Sequence, residues 1–329
     1  MKHIPPTPLT VFSAPVAAEL TAYRKLFESV LHHDEHILGE ALAHIRQRQG
    51  KMMRPILVLL MAREAGGVTD KALTAAVALE LLHTASLVHD DVVDESALRR
   101  GLPSVNQKYG NKVAVLLGDY LLSLLLGMAA ETQDSRIVER IAKLGGTLSE
   151  GEIIQLGSSR KDVPDEAAYL RIISHKTAAL FSTCAELGAL AAGADDQFTA
   201  RARQYGELIG MCFQIRDDIF DFYDDKAIGK PTGNDLREGK FTLPVIRALR
   251  TTPSPTLQPA IARVQTGSAT AEDIDSLVRH TKEHGGIDYA RSQMEKYRDE
   301  AISIARSFHN DEVRQALIAY AEYVAAREV

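Results

Sequence analysis

Two short stretches carry the residue types most able to do chemistry: Asp90-Asp91-Val92-Val93-Asp94 and Asp217-Asp218-Ile219-Phe220-Asp221. Both read Asp-Asp-x-x-Asp. On a helix, residues four apart share a face with side chains about 5–6 Å apart. Asp90 with Asp94 and Asp217 with Asp221 therefore form two paired-carboxylate edges. Such an edge repels itself unless a cation occupies it. Hard divalent ions suit it, and magnesium in particular takes one or two carboxylates and leaves its other positions to water and substrate phosphate. Two facing edges would make a clamp for a magnesium diphosphate. A single copy could be a solvated helix end. Two copies set among apolar residues (Leu81 and Leu82 before the first, Ile215 and Ile219 around the second) argue against that. No paired histidines accompany the carboxylates, which speaks against zinc or iron.

The cations a diphosphate would need occur in separate short clusters. These are Lys51 and Arg54, Arg99 and Arg100, Lys176 beside Thr177, and Lys230 and Lys240. Any one alone is ordinary surface charge. Glycines adjoin Lys51, Arg100, Lys230 and Lys240, which suggests loops whose backbone can come close to a phosphate.

Helices must position these groups. Apolar residues recur at three- and four-residue steps over Ala72 to Val93, Val113 to Ala130, Ala167 to Ala191, Arg201 to Tyr223, Ile287 to Ser307 and Val313 to Ala326. No alternating strand pair stands out, so the chain is expected to be all-α. Gly66-Gly67, Gly145-Gly146 and Gly285-Gly286 are expected at helix ends, and Thr69 as a helix N-cap. The longest candidate linker, Thr251 to Pro255, is short, so residues 1–329 are expected to form one domain. Val113 to Ala130 is long and apolar enough to span a bilayer. Asp119 interrupts it near the middle, and a buried soluble helix is the preferred reading.

The net charge of −6 and the lack of a basic stripe exclude a typical nucleic-acid binder. Cys184 and Cys212 are the only cysteines, which fits a reducing compartment. The stretch Met1 to Pro6 has no apolar run of a secretory signal, so a cytoplasmic protein is expected.

In order along the chain stand Gly50-Lys51-x-x-Arg54-Pro55, then Leu82-His83-Thr84-Ala85-Ser86 leading into Asp90-Asp91-x-x-Asp94, then Arg99-Arg100-Gly101. Lys176-Thr177, Phe213-Gln214-x-x-Asp217-Asp218-x-x-Asp221 and Gly229-Lys230-x-x-Gly233-x-Asp235-Leu236-x-Glu238-Gly239-Lys240-x-Thr242-Leu243-Pro244 follow. This series, from Gly50 to Pro244, resembles the trans-isoprenyl diphosphate synthase (polyprenyl synthetase) family. The resemblance implies a single large helical bundle of the isoprenoid synthase type around a central cavity. It also implies a homodimer that joins isopentenyl diphosphate to an allylic diphosphate with three magnesium ions. Asp90, Asp94 and Asp217, helped by Asp91, Asp218 and Asp221, would hold the metal. Lys51, Arg54, His83 and Arg100 would grip isopentenyl diphosphate, and Arg99, Lys176, Lys230 and Lys240 the allylic diphosphate. Thr177 and Gln214 would lie along the reacting carbons, and these two with Lys176 would be the catalytic residues.

By the same resemblance the allylic C–O bond ionises, the isopentenyl double bond attacks C1, and the departing diphosphate takes the proton. Met52 departs from the pattern, since many relatives carry a second basic residue there. Arg216 occupies a variable position and is open to either a local ion pair or a substrate contact. Ala85 and Ser86, five and four residues before Asp90, are small where short-chain members commonly carry aromatics. A long product near eight isoprene units, an octaprenyl diphosphate of the kind used in quinone side chains, is therefore expected, with Ala85→Tyr shortening it. Competing readings are a short-chain (farnesyl or geranylgeranyl) synthase, a terpene cyclase, whose second aspartate motif would normally differ, and a non-catalytic synthase subunit.

Overall fold

The computed structural model describes residues 9–47, 50–158, 163–223 and 232–326. The chain enters through α1 (Leu9–Ser13), α2 (Ala17–Val30) and α3 (His36–Arg46), followed by α4 (Met53–Glu64) and the long α5 (Asp70–Val93). A short α6 (Val105–Tyr109) leads into α7 (Asn111–Glu131) and α8 (Ser135–Ser158). Next come α9 (Glu166–Ile173), a single π turn (Ser174–Ala178), α10 (Ala179–Ala191) and α11 (Asp196–Phe220). After the one-turn α12 (Asn234–Arg237), the chain closes with α13 (Leu243–Thr251), α14 (Gln258–Gln265), α15 (Ala271–Glu283), α16 (Gly286–Ala305) and α17 (Asp311–Ala326). The all-α expectation holds.

Helices α5 and α11, which carry the two aspartate motifs, are both inner helices. The first packs mainly against α7, and the second against α10 and α16, while α10 also meets α4 and α5. Small residues make these approaches possible. A Cβ on Gly188 of α10 would stand 2.2 Å from the Val58 carbonyl oxygen of α4, and one on Gly206 of α11 would stand 2.4 Å from that of Phe181 in α10. Local signals fix where the inner helices begin. Thr69 Oγ1 accepts from the Ala72 N–H at 3.2 Å to start α5, and Asp195 Oδ1 accepts from the Phe198 N–H at 2.7 Å to start α11.

Three local expectations are corrected. Gly145 and Gly146 lie inside α8 rather than at its end; the helix survives a penalty of about 1 kcal/mol per glycine because Ile137, Ile141 and Leu144 anchor it in the core. The stretch Ala167 to Ala191 is broken by the π turn. A minimal hairpin pairs Leu98–Arg99 with Leu102–Pro103, and positive φ at both Arg100 (53°) and Gly101 (77°) makes the tight reversal that such two-residue turns need. Both α5 and α7 are long and apolar enough to cross a membrane, and here they lie side by side in the bundle. Gly118 allows this: a Cβ there would sit 2.1 Å from His89 Nε2.

Candidate active site

The first aspartate motif occupies the last turn of α5. Asp90 is partly buried. Burial, and then the carboxylates of Glu152 and Asp94 working against the pull of Lys176, push its pKa up to about 6. Asp94 closes the helix, with Oδ2 3.9 Å from Lys240 Nζ. Asp91 faces another way. It is 2% exposed, and its Oδ1 accepts from Arg99 Nε at 2.8 Å and Nη2 at 2.5 Å. The hairpin thus hangs on Asp91 and carries Arg99 and Arg100 back over α5. Gly50 lies beneath the Arg100 guanidinium, where a Cβ would come within 2.9 Å.

The second motif closes α11. Asp217 is half-exposed and paired with Arg216, which settles the alternative left open by the sequence: Arg216 makes a local ion pair. Its guanidinium is buried, stacked 5.3 Å from the Phe213 ring and 5.1 Å from that of Phe220, and donates to the Val324 carbonyl of α17 at 3.4 Å. Asp218 is 3% exposed and accepts from Tyr169 Oη at 2.5 Å and Gln214 Nε2 at 2.8 Å. Burial, then the Asp235 carboxylate, pushes Asp218 well above the usual range, and burial does the same to Tyr169. Gln214 Oε1 in turn accepts from Thr177 Oγ1 at 2.6 Å. One hydrogen-bonded chain therefore runs Tyr169, Asp218, Gln214, Thr177 and fixes the last two side chains.

The π turn delivers Lys176 and Thr177 to this network. Gly151 of α8 abuts it, a Cβ there lying 2.9 Å from that of His175. The close approach brings Lys176 Nζ within 2.5 Å of Glu152 Oε2 and 3.0 Å of Gln155 Oε1. Lys176, Thr177, Gln214, Asp218, Asp235 and Lys240 line one cavity. Lys240 also approaches Asp94, and Lys176 acts on Asp90, so both motifs border that space. A second cavity lies on the other side of α5, lined by Gly50, Glu80, His83, Asp91, Arg99 and Arg100. Arg99, grouped by resemblance with Lys176, thus sits with His83 and Arg100 instead. Burial first, then Arg54, Arg100 and Arg99, pulls His83 far below the normal imidazole value, so it is neutral at pH 7.

Arg54 lies 5.0 Å from the Phe181 ring, and among the described residues its Nε is buried without a partner, as a cation awaiting an anion would be. Lys51 Nζ stands 6.0 Å from the Tyr323 ring. Ala85 is fully packed, whereas Ser86 is partly exposed and donates to the His83 carbonyl at 2.9 Å. Lys230 lies outside the described residues. The sequence reading missed Glu80, Glu152, Gln155 and Tyr169. Three of these left a trace, since Glu80 interrupts the apolar run Ala78 to Leu82, and Glu152 and Gln155 stand three apart in Gly151 to Leu156.

Does a divalent ion fit? Among the described residues, no three His, Cys, Asp or Glu side chains converge closely enough to hold one unaided. Carboxylates so arranged suit magnesium, which keeps substrate phosphate among its ligands. The raised pKa of Asp90 marks it as a carboxylate whose ionised form lacks enough positive charge nearby.

Comparison with known proteins decides the family. The polyprenyl synthetase family profile matches residues 35–280. The chain belongs to the polyprenyl synthetase family. This synthase is 37% identical to heptaprenyl diphosphate synthase component 2 of Geobacillus stearothermophilus, over 94% of this chain and 96% of that one. Among solved structures it resembles a geranylgeranyl pyrophosphate synthase from Bacteroides thetaiotaomicron (43% identity, TM-score 0.86, 97% and 99% of the two chains). It also resembles a polyprenyl synthase from Caulobacter crescentus CB15 complexed with calcium and isoprenyl diphosphate (30% identity, TM-score 0.92, 99% and 100%). As a polyprenyl synthetase the chain is a prenyltransferase, and its helical bundle is the isoprenoid synthase fold.

Proposed function

We propose that this synthase condenses isopentenyl diphosphate with an allylic diphosphate in the trans sense to build a long-chain polyprenyl diphosphate, using magnesium. The supporting observation is the pair of cation-lined cavities, one carrying Lys176 and Lys240 and the other Arg99 and Arg100, one for each diphosphate. Asp90, Asp94 and Asp217 would hold the metal, which supplies Lewis-acid stabilisation of the leaving diphosphate. Lys176 and Lys240 neutralise the same leaving group. Thr177 and Gln214, locked by the chain from Tyr169 and Asp218, present oxygens beside the developing allylic cation without rotamer search. In the other cavity, neutral His83 offers a hydrogen bond while Arg100, with Arg54 acting on His83 from nearby, carries the charge that orients isopentenyl diphosphate. Incubation with magnesium, labelled isopentenyl diphosphate and farnesyl diphosphate, with products resolved by length, tests the whole reading. Absence of any condensation would refute it.

The assignment of the cations to two different diphosphates predicts a split in Michaelis constants. Lys51→Ala and Arg54→Ala should raise that for isopentenyl diphosphate, and Lys176→Ala and Lys240→Ala that for the allylic substrate. Each effect should be about tenfold or more, the range for losing a charged hydrogen bond. Equal effects on both substrates in all four variants would contradict it.

A homodimer belongs to the same proposal. Helix α7 leaves Leu116 and Leu126 at 67% and 63% exposure on the side away from the core, an apolar surface that a second copy would cover. Light scattering should give twice the 36.0 kDa chain mass. A monomer in an active preparation rules this out. The relative named as a component of a heptaprenyl synthase favours a second reading, in which the chain needs a different subunit. Full activity of the purified chain alone would exclude that reading.

A further inference from the structure

The two motifs are alike in sequence, but their third aspartates stand in different surroundings. Asp94 closes its helix with Lys240 nearby. Asp221 instead receives three backbone N–H groups from beyond its own helix: Oδ1 accepts from Asn234 at 2.9 Å, Oδ2 from Asp235 at 3.2 Å, and its carbonyl from Gly233 at 2.8 Å. These are the first donors of α12, which no local side chain caps. Gly233 (φ 78°) lets the chain turn into that helix against Ile274. Downstream the same turn is closed by the Lys240 N–H to the Asp235 carbonyl at 2.8 Å. Asp235 and Lys240 thereby both reach the cavity that holds Lys176, Thr177 and Gln214.

We propose that Asp221 is a positioning residue rather than a metal ligand: its carboxylate caps α12 from a distance and so fixes Asp235 and Lys240 in the allylic cavity. The inference rests on the proposed prenyltransferase reading for its kinetic arm and on the fold alone for its exchange arm.

The discriminating pair is Asp221→Asn and Asp221→Ala. Asparagine keeps one of the two capping oxygens and ranks with aspartate as a helix cap, whereas alanine keeps neither. Hydrogen exchange of the full-length, metal-free protein is read first, over residues 233–240. Asp221→Ala should speed exchange there about tenfold, equivalent to ~1.4 kcal/mol, and Asp221→Asn should stay within about threefold of wild type. Unchanged protection in Asp221→Ala overturns the proposal even if no substrate is turned over. In the kinetic arm, Asp221→Ala should raise the Michaelis constant for the allylic diphosphate about tenfold, leave the magnesium requirement in place, and be rescued by Asp221→Asn. If both variants instead raise the magnesium requirement equally, Asp221 is a ligand and the capping role is refuted.

Discussion

Asp90→Asn should abolish turnover and, in the same molecule, raise the melting temperature of the metal-free protein at neutral pH. The native carboxyl titrates near 6 against a reference of 3.8, so folding holds its proton more tightly than the unfolded chain does. Above about pH 6 the ionised native form carries the full penalty, on the order of 2–3 kcal/mol for such a shift. As pH falls toward 4 the penalty disappears. Asparagine removes it, so the stability gain should be largest above pH 6 and shrink in acid. Activity should fall by at least about 10²–10³-fold, the range for losing one preorganised electrostatic group. The wild-type affinity for magnesium should decline as pH drops through 6, since the ion must displace the proton. Asp217→Asn should lose activity similarly but gain no stability, because Arg216 already balances Asp217. Near-normal turnover in Asp90→Asn, or a lower melting temperature, would remove the case for an unsatisfied carboxylate at the metal edge.

Ser86→Phe should change the product itself. Ser86 precedes Asp90 by one helical turn and shares its face of α5, so a tail leaving the metal edge along this helix meets Ser86 within about 6 Å. Its partial exposure leaves room there. A phenyl ring would close that path, and the product should shorten toward fifteen or twenty carbons while the first condensation proceeds. Ala85→Tyr should shorten the product too, but Ala85 is fully packed, so overpacking of about 1–3 kcal/mol accompanies the block. The wild type should exceed twenty carbons. A wild type that stops at twenty carbons would establish the shorter reading. A long product unchanged in both variants would show that the tail takes another route.

Much of this was legible in the sequence because helices announce themselves by period and the aspartates by repetition. Thr69 capped α5 as read, and α7 ran within two residues of its expected limits. What stayed hidden depends on partners distant along the chain. Nothing local distinguishes Asp94 from Asp221, whose acceptor role is defined by amides 13 and 14 residues later. The Arg100 turn required a positive φ at a non-glycine residue, which composition does not signal. Gly145 and Gly146 looked like punctuation because propensity is local, while the burial that overrides it is not. Glu152 gained meaning only when α8 was laid against the π turn.

That π turn is a question of chain length rather than residue type. Five residues, Ser174 to Ala178, run in the wider coil between two ordinary helices. Deleting any one of them would restore regular i to i−4 bonding and rotate everything on one side by about 100° relative to the other. Lys176 would swing off Glu152, or Thr177 off Gln214, with every side chain chemically intact. A single-residue register, kept open by the bare flank of Gly151, is thus part of what positions the candidate site.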